Sequence, residues 1–171
     1  RSRCVTLTMN PVEKDKICTY LENKFQLEPE QAQIAANYCQ GNIGKAIRFA
    51  SSSDFIEMKN QVLKLLKNLD SMDIASIIDT IKEFSTHKND INDYLDLMLL
   101  WYRDVLMFKV TKDANLLLYS DEYSAISEQA TKRDYENIEN IIAAIDKAKV
   151  RLKANVNFDV TIELMILAMK D

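Results

Sequence analysis

The chain has 171 residues, of which 47% are apolar and 28% charged, while only 2 are glycine and 2 are proline. So few turn-forming residues favour long helices over a many-stranded sheet, and they predict an all-α fold of one domain or two small ones. The net charge of -4 argues against nucleic acid as the main ligand. The cysteines Cys4, Cys18 and Cys39 form no C-x-x-C pair, which predicts a reducing, cytoplasmic setting without structural zinc.

The first part of the chain predicts a short extended segment followed by three small helices. Residues 5–8 alternate apolar and polar side chains, as the end of a strand does. Asn10 and Pro11 predict the start of the first helix, because asparagine is a good N-cap and proline suits the first helical position. Pro29 predicts the start of the second helix, and Gly41 supplies a left-handed turn at its end. A third, short helix follows directly.

The serine-rich residues 51–54 predict a hinge, because the helices beyond them are longer and richer in leucine and isoleucine. We therefore predict two domains, of residues 1–53 and 54–171. The helices predicted in the second domain cover about residues 54–69, 74–84, 91–110, 122–131, 135–154 and 158 to the end.

Residues 91–110 form the most apolar of the predicted helices, with Leu99 on one face and Trp101 and Phe108 on another. A helix that is apolar on nearly all sides is buried among neighbours or serves a subunit interface. We therefore expect these three residues to contribute to an interface. The run "LMLLWYRDVLMF" is too short to cross a membrane and is interrupted by Arg103 and Asp104, so no membrane association is expected.

No motif forms a self-contained active site. "GNIGKAI" fails as a phosphate-binding loop, which needs about four residues between its glycines and a serine or threonine after the lysine. Only Asn42 and Ile43 separate Gly41 from Gly44, and Ala46 follows the lysine. The acidic residues of "EKDK" and "KRDYE" stand beside basic ones, which predicts solvated faces. We expect no metal, no cofactor and no ATP binding by the chain alone.

Three stretches together resemble clamp-loader subunits of the AAA+ family. "SRC" precedes an extended segment and a three-helix unit that ends in "GNIGKA", and "LLWYRDVL" is similar to the family's collar. The tail is similar to an "RxxLxxNvNxxLxxE" type of pattern, with Leu152, Asn155, Asn157 and Glu163 at its spacing and Arg151 and Leu164 close to it. The resemblance implies a small three-helix AAA+ lid at residues 1–53, a helical-bundle collar at residues 54–171, and ATP-binding Walker segments upstream.

The resemblance also implies roles for single residues. Arg3 corresponds to the arginine finger that reaches the ATP of a neighbouring subunit, with Ser2 as a positioning residue and Cys4 as a small packing residue. The nucleotide-contacting arginine of "GSxRDA" in the ATPase members corresponds to Gly44 here. This departure implies a subunit that does not hydrolyse ATP. Arg48 lies one helical turn further on and could compensate, which keeps a gamma/tau-like ATPase subunit open as an alternative.

The partners that the resemblance implies are the gamma/tau and delta subunits, bound through the collar. The sliding clamp and primer-template DNA would be contacted indirectly, through a DNA polymerase III complex that combines nucleotidyl transfer with a clamp-loader ATPase. The other alternative is an unrelated helical adaptor, in which the methionine-rich helix binds a partner helix. The missing initiator methionine favours the clamp-loader subunit, since it predicts further residues upstream.

Overall fold

The computed structural model describes residue 5 and residues 8–51 and 54–170, and within these ranges the regular elements are helices, with no strand. The all-α prediction is confirmed. The strand end predicted at residues 5–8 lies partly outside the described residues, and the two of its residues that are described, Val5 and Thr8, belong to no regular element.

The α-helices of the described residues are α1 (Lys14–Phe25), α2 (Pro29–Tyr38), α3 (Ile43–Ser51), α4 (Asp54–Asn68), α5 (Ile74–Thr86), α6 (Ile91–Thr111), α7 (Tyr123–Lys132), α8 (Tyr135–Lys153) and α9 (Phe158–Lys170). Single 3-10 turns lie at Leu69–Ser71, Ala114–Leu116 and Ser120–Glu122. The backbone divides into two compact units, Arg1–Glu57 and Met58–Asp171, which we call unit 1 and unit 2. This division falls inside α4, near the boundary predicted after residue 53. The assignment of the two units to a lid and a collar stays a prediction.

Small side chains build much of the core of unit 1. Ala32, Ala35 and Ala36 of α2 are buried, and α2 packs against both α1 and α3. Cys18 and Cys39 are buried as well and act as small apolar residues. Because interhelical distances depend on the side chains at the contact, these residues allow the helices to approach closely.

The turn after α2 requires its glycine. Gly41 has a φ of 79°, in the left-handed region, and a Cβ atom there would lie 2.5 Å from Cβ of Pro11. The carbonyl oxygen of Gly41 accepts a hydrogen bond from the backbone N–H of Val12, at 3.0 Å. Helix α1 begins after this contact, at Lys14, with an N-cap at Glu13 whose backbone is extended. The helix start predicted at Asn10 and Pro11 is therefore wrong.

Helix α6 is the buried helix of unit 2, as its sequence predicts. More than half of its residues are buried, and it packs against α7 and α8, while α9 packs against α8 and α5. Trp101 and Tyr102 are among the largest fully buried side chains of the described residues. Burial of a large apolar side chain contributes about 1.5 to 3 kcal/mol, so α6 supplies much of the apolar stabilisation of this unit.

Candidate functional site

The predicted arginine-finger segment, Ser2, Arg3 and Cys4, lies outside the described residues. Its roles therefore stay predictions. The other predicted site residues are described, and they fall in two places: Gly44 lies in α3 of unit 1, and Leu99, Trp101 and Phe108 lie in α6 of unit 2.

Gly44 occupies an exposed position in the first turn of α3. Its backbone is not left-handed, and a Cβ atom would meet only Oδ1 of Asn42, at 3.3 Å. That oxygen accepts the backbone N–H of Lys45 at 3.0 Å and caps the helix. Arg48 lies four residues after Gly44 and is also exposed, so the two positions share one face of the helix. Gly44 is thus a surface position that could carry a side chain, although here it has none.

The structure places Trp101 and Phe108 in the core of unit 2 and leaves Leu99 half-buried. The indole N–H of Trp101 donates to Oε1 of Gln129 at 2.9 Å, and the amide of Gln129 donates to the carbonyl oxygen of Leu66 at 2.8 Å. Phe108 packs edge-to-face against Tyr123, with 5.3 Å between ring centroids. Trp101 and Phe108 therefore hold α6 among its neighbours, and the interface role of Leu99, Trp101 and Phe108 stays a prediction.

Helices α5 and α9 run antiparallel beside each other. The hydroxyl of Ser85, near the end of α5, donates to Oδ1 of Asp159 at 2.9 Å, near the start of α9. At the other end, the ammonium group of Lys170 donates to the carbonyl oxygen of Met72. These two contacts fix which residues of the two helices lie at the same level.

Each of these two helices exposes apolar side chains that the sequence analysis missed. We call these side chains the α5–α9 stripe, and its members are Ile74, Ile78, Val160, Leu164 and Leu167. All five side chains are exposed, Ile74 to 77% and the others to between 42% and 48%. The signal was present in the sequence, because residues 160, 164 and 167 follow helical spacing on the side of α9 opposite to the buried Ile162 and Ile166.

A buried arginine ties α7 to its neighbours in unit 2. Arg133 is only 6% exposed, and its guanidinium donates to Oδ1 of Asp70 at 2.6 Å and to Oδ1 of Asn137 at 2.7 Å. Lys132 pairs with the same carboxylate from the exposed side. Burial acts to raise the pKa of Asp70, but Lys132 and Arg133 outweigh it and hold this pKa below its usual value. "KRDYE" is therefore not a wholly solvated face, and that prediction is wrong for Arg133.

Two buried polar atoms near this cluster have no hydrogen-bond partner among the described residues, Oη of Tyr102 and Nε of Arg133. Burial raises the pKa of the Tyr102 phenol, and the nearby guanidinium of Arg133 only partly opposes this effect. The phenol therefore stays neutral at physiological pH. Within the described residues, the cluster around Arg133 and Asp70 contains no nucleophilic side chain next to a general base, so we assign it a structural role.

Asp104 organises the connection between α6 and α7. Its buried carboxylate accepts the backbone N–H groups of Leu118 at 2.7 Å and Tyr119 at 2.8 Å, and Arg103 pairs with its other oxygen at 2.9 Å. Burial raises the pKa of this carboxyl, and the two backbone hydrogen bonds oppose that effect. The hydroxyl of Tyr119 in turn donates to the carbonyl oxygen of Leu97 at 2.9 Å.

Metal-binding clusters and reactive thiols are not found among the described residues. Among them, no cluster of three or more histidine, cysteine, aspartate or glutamate side chains is arranged to hold a metal ion. Burial raises the pKa of the Cys18 and Cys39 thiols, which disfavours the reactive thiolate. Within the same ranges, none of the helices has both the length and the apolar character that crossing a membrane requires.

Comparison with known proteins gives one informative match. The chain is 29% identical over 173 residues to DNA polymerase III subunit delta' of Bacillus subtilis (strain 168). The match covers 99% of this chain and 52% of that protein, in its C-terminal part, so the chain spans about half the length of the relative. No family model matches the chain, and no solved structure matches it. The predicted resemblance to a clamp-loader subunit is confirmed by this similarity.

Proposed function

We propose that the chain is the C-terminal part of a delta'-type subunit of the DNA polymerase III clamp loader. In this proposal it assembles with gamma/tau and delta subunits in the cytoplasm and helps to load the sliding clamp onto primer-template DNA. The observation that carries the proposal is the similarity to a delta' subunit, which extends over 99% of the chain. Residues 1–53 would form the AAA+ lid, and residues 54–171 would form the collar.

Within the complex the subunit would act as a stator and would not hydrolyse ATP itself. The exposed Gly44 supports this role, since it stands where the ATPase subunits present an arginine to the nucleotide. Arg3 would serve the active site of the neighbouring subunit. A guanidinium is always charged, and its planar fork can contact phosphoryl oxygens as negative charge develops in the transition state.

The α5–α9 stripe is the surface that we propose for collar assembly. It combines two helices of unit 2, and its five exposed side chains lie beside charged residues such as Asp79 and Glu163. An exposed apolar patch with a polar rim is typical of protein–protein interfaces. The buried Trp101 and Phe108 would contribute by keeping the bundle rigid.

Mass measurement in solution with gamma/tau and delta subunits tests the assembly proposal. The double variant Ile78→Glu/Leu167→Glu places a charge on each helix of the stripe, and we expect its affinity for the complex to fall about a hundredfold or more, equivalent to about 3 kcal/mol. Val110→Glu is the matched control, because Val110 is an exposed valine of α6 outside the stripe. Equal assembly of the double variant and the control would place the interface elsewhere.

The role of Arg3 is tested with Arg3→Ala in the complete subunit, assembled and assayed for clamp- and DNA-stimulated ATP hydrolysis. Arginine fingers raise GTPase turnover roughly 10³- to 10⁵-fold. Because Arg3 would serve only one of several ATPase sites in the ring, the total hydrolysis rate of the complex should fall by a smaller factor. Assembly should persist, because the collar is unchanged. Arg48→Ala distinguishes the alternative, since a loss of nucleotide binding in that variant would favour a gamma/tau-like ATPase subunit.

A further inference from the structure

A cleft of about 690 Å³ opens in unit 2 where α6 and α9 begin and α8 ends. We call it the basic cleft. Three lysines line it: Lys88 before α6, and Lys149 and Lys153 in the last turns of α8. The apolar residues that line it are Ile91, Val150, Leu152, Val156 and Phe158. The cleft thus combines positive charge with an apolar floor.

The charge of the cleft is opposite to that of the chain. The chain has a net charge of -4, yet none of the residues that line the cleft carries a carboxylate. Lys149 is already paired with Asp96. Lys88 and Lys153 are exposed and make no ion pair with a residue that the structure describes, although Nζ of Lys88 lies 5.0 Å from the ring centroid of Phe158. Two ammonium groups therefore remain available to an anionic ligand.

Two of the three helix ends at the cleft add to this positive potential. Helices α6 and α9 begin there with the partial positive charge of an N-terminus, whereas α8 ends there with the partial negative charge of a C-terminus. The acidic side chain of the first turn of α9, Asp159, is engaged by the hydroxyl of Ser85. The electrostatics of the cleft thus favour an anionic ligand that reaches Lys88 and Lys153 together.

The apolar floor distinguishes between classes of anionic partner. Val150 is 69% exposed and Val156 45% exposed, so apolar surface that a partner could bury lies directly beside the two free lysines. A nucleic acid backbone would leave this surface unused, and its repeated phosphates would meet an acidic protein beyond the cleft. A peptide with carboxylates on both sides of an apolar side chain matches both features.

We propose that the basic cleft binds an acidic peptide segment of a protein partner, with an aliphatic or aromatic side chain on the apolar floor and carboxylates on Lys88 and Lys153. This site goes beyond the proposed function and is separate from the α5–α9 stripe. Its test does not depend on assembly with clamp-loader subunits, so failure of one proposal leaves the other standing.

The test is selection of short peptides from a random library displayed on phage, with the 171-residue chain as target. We expect the selected peptides to be enriched in aspartate and glutamate around leucine or phenylalanine. The affinity of a selected peptide, measured by fluorescence anisotropy, should fall about tenfold or more in the double variant Lys88→Glu/Lys153→Glu. The matched control is Lys147→Glu/Arg151→Glu, which makes the same charge change on α8 outside the cleft and should alter the affinity less than threefold or so at physiological ionic strength.

Three outcomes would overturn the proposal. Selected peptides without an acidic bias would show that charge does not direct binding. An equal loss in the cleft variant and the control variant would show that only the overall charge matters. An oligothymidylate that binds as tightly as the peptides, and loses affinity in the cleft variant, would make the cleft a nucleic-acid site. Circular dichroism of each variant verifies that it is folded.

Discussion

Unit 1 buries small side chains such as Ala32 and Cys39 and no charged side chain among its described residues, whereas unit 2 buries Asp93, Asp104 and Arg133. In unit 1 the helices pack closely against each other, and the turn at Gly41 depends on a left-handed backbone. In unit 2, buried ionic groups link segments that are far apart in the sequence. The two units should therefore be destabilised by different substitutions. Unit 1 should be sensitive to changes in side-chain size and backbone conformation, and unit 2 to the removal of an ionic partner.

The chain provides a direct way to observe this difference. Its single tryptophan, Trp101, is fully buried in unit 2, so tryptophan fluorescence reports the unfolding of that unit alone. Circular dichroism reports the helices of both units. Comparing the two signals in urea shows which unit a substitution affects.

Arg133→Ala should have the largest effect on stability. It removes the buried guanidinium, its hydrogen bonds and the packing around it. Because Asp70 is 39% exposed and keeps Lys132 as a partner, the loss should be about 2 to 3 kcal/mol, as for hydrogen bonds to charged groups. We expect the fluorescence midpoint in urea to fall accordingly. Lys132→Ala is the matched control, because Lys132 pairs with the same carboxylate but is 60% exposed, and an exposed pair contributes less than about 1 kcal/mol. Equal losses in the two variants would contradict the view that buried charge stabilises unit 2.

Gly41→Ala should have the next largest effect, in unit 1. The left-handed backbone and the contact with Pro11 predict a loss of about 2 kcal/mol, visible in the circular dichroism transition and absent from the fluorescence transition. Gly44→Ala is the contrasting variant, because its backbone is helical. It should gain up to about 1 kcal/mol from the higher helix propensity of alanine. If Gly41→Ala also lowers the urea midpoint of the fluorescence transition, the two units unfold together.

The smallest effects concern two buried tyrosines of unit 2. Tyr119→Phe removes the hydrogen bond to the carbonyl oxygen of Leu97 and should cost about 1 kcal/mol. Tyr102→Phe removes a hydroxyl that has no partner among the described residues, so it should cost nothing and could gain about 1 kcal/mol. The fluorescence midpoint in urea measures both. Destabilisation by Tyr102→Phe as large as that by Tyr119→Phe would mean that this hydroxyl is satisfied in solution.

The helices were predictable because each one carries its own signal. Helix α2 begins at the predicted Pro29 and α3 begins directly after Asn42, and the apolar residues of α6 on nearly all sides indicated its burial. The start of α1 was mispredicted: Asn10 and Pro11 are favourable start signals, yet the helix begins at Lys14 and the backbone of Val12 contacts the turn at Gly41.

The buried charges could not be predicted from the sequence. Arg133 stands in a polar context, and its burial depends on Asp70, which is 63 residues away. Asp104 stands in the apolar run of α6 and takes its partners from Leu118 and Tyr119, beyond the end of the helix. The interface residues were expected where the sequence is most apolar, yet that segment is apolar because it is core. The exposed stripe was harder to recognise, because α9 has apolar residues at helical spacing on both its buried and its exposed face, and the spacing alone does not show which face is buried.

The antiparallel pairing of α5 with α9 also bears on how the protein is made. Its contacts join residues 74 and 98 positions apart, whereas the helices of unit 1 contact neighbours within one short stretch. During synthesis the chain emerges in order, so unit 1 can close while the ribosome is still adding unit 2. Helices α5 and α8 remain uncovered until α9 has left the exit tunnel. Unit 2 therefore spends part of its synthesis with its apolar faces exposed, and of the two units it is the one expected to benefit more from chaperones.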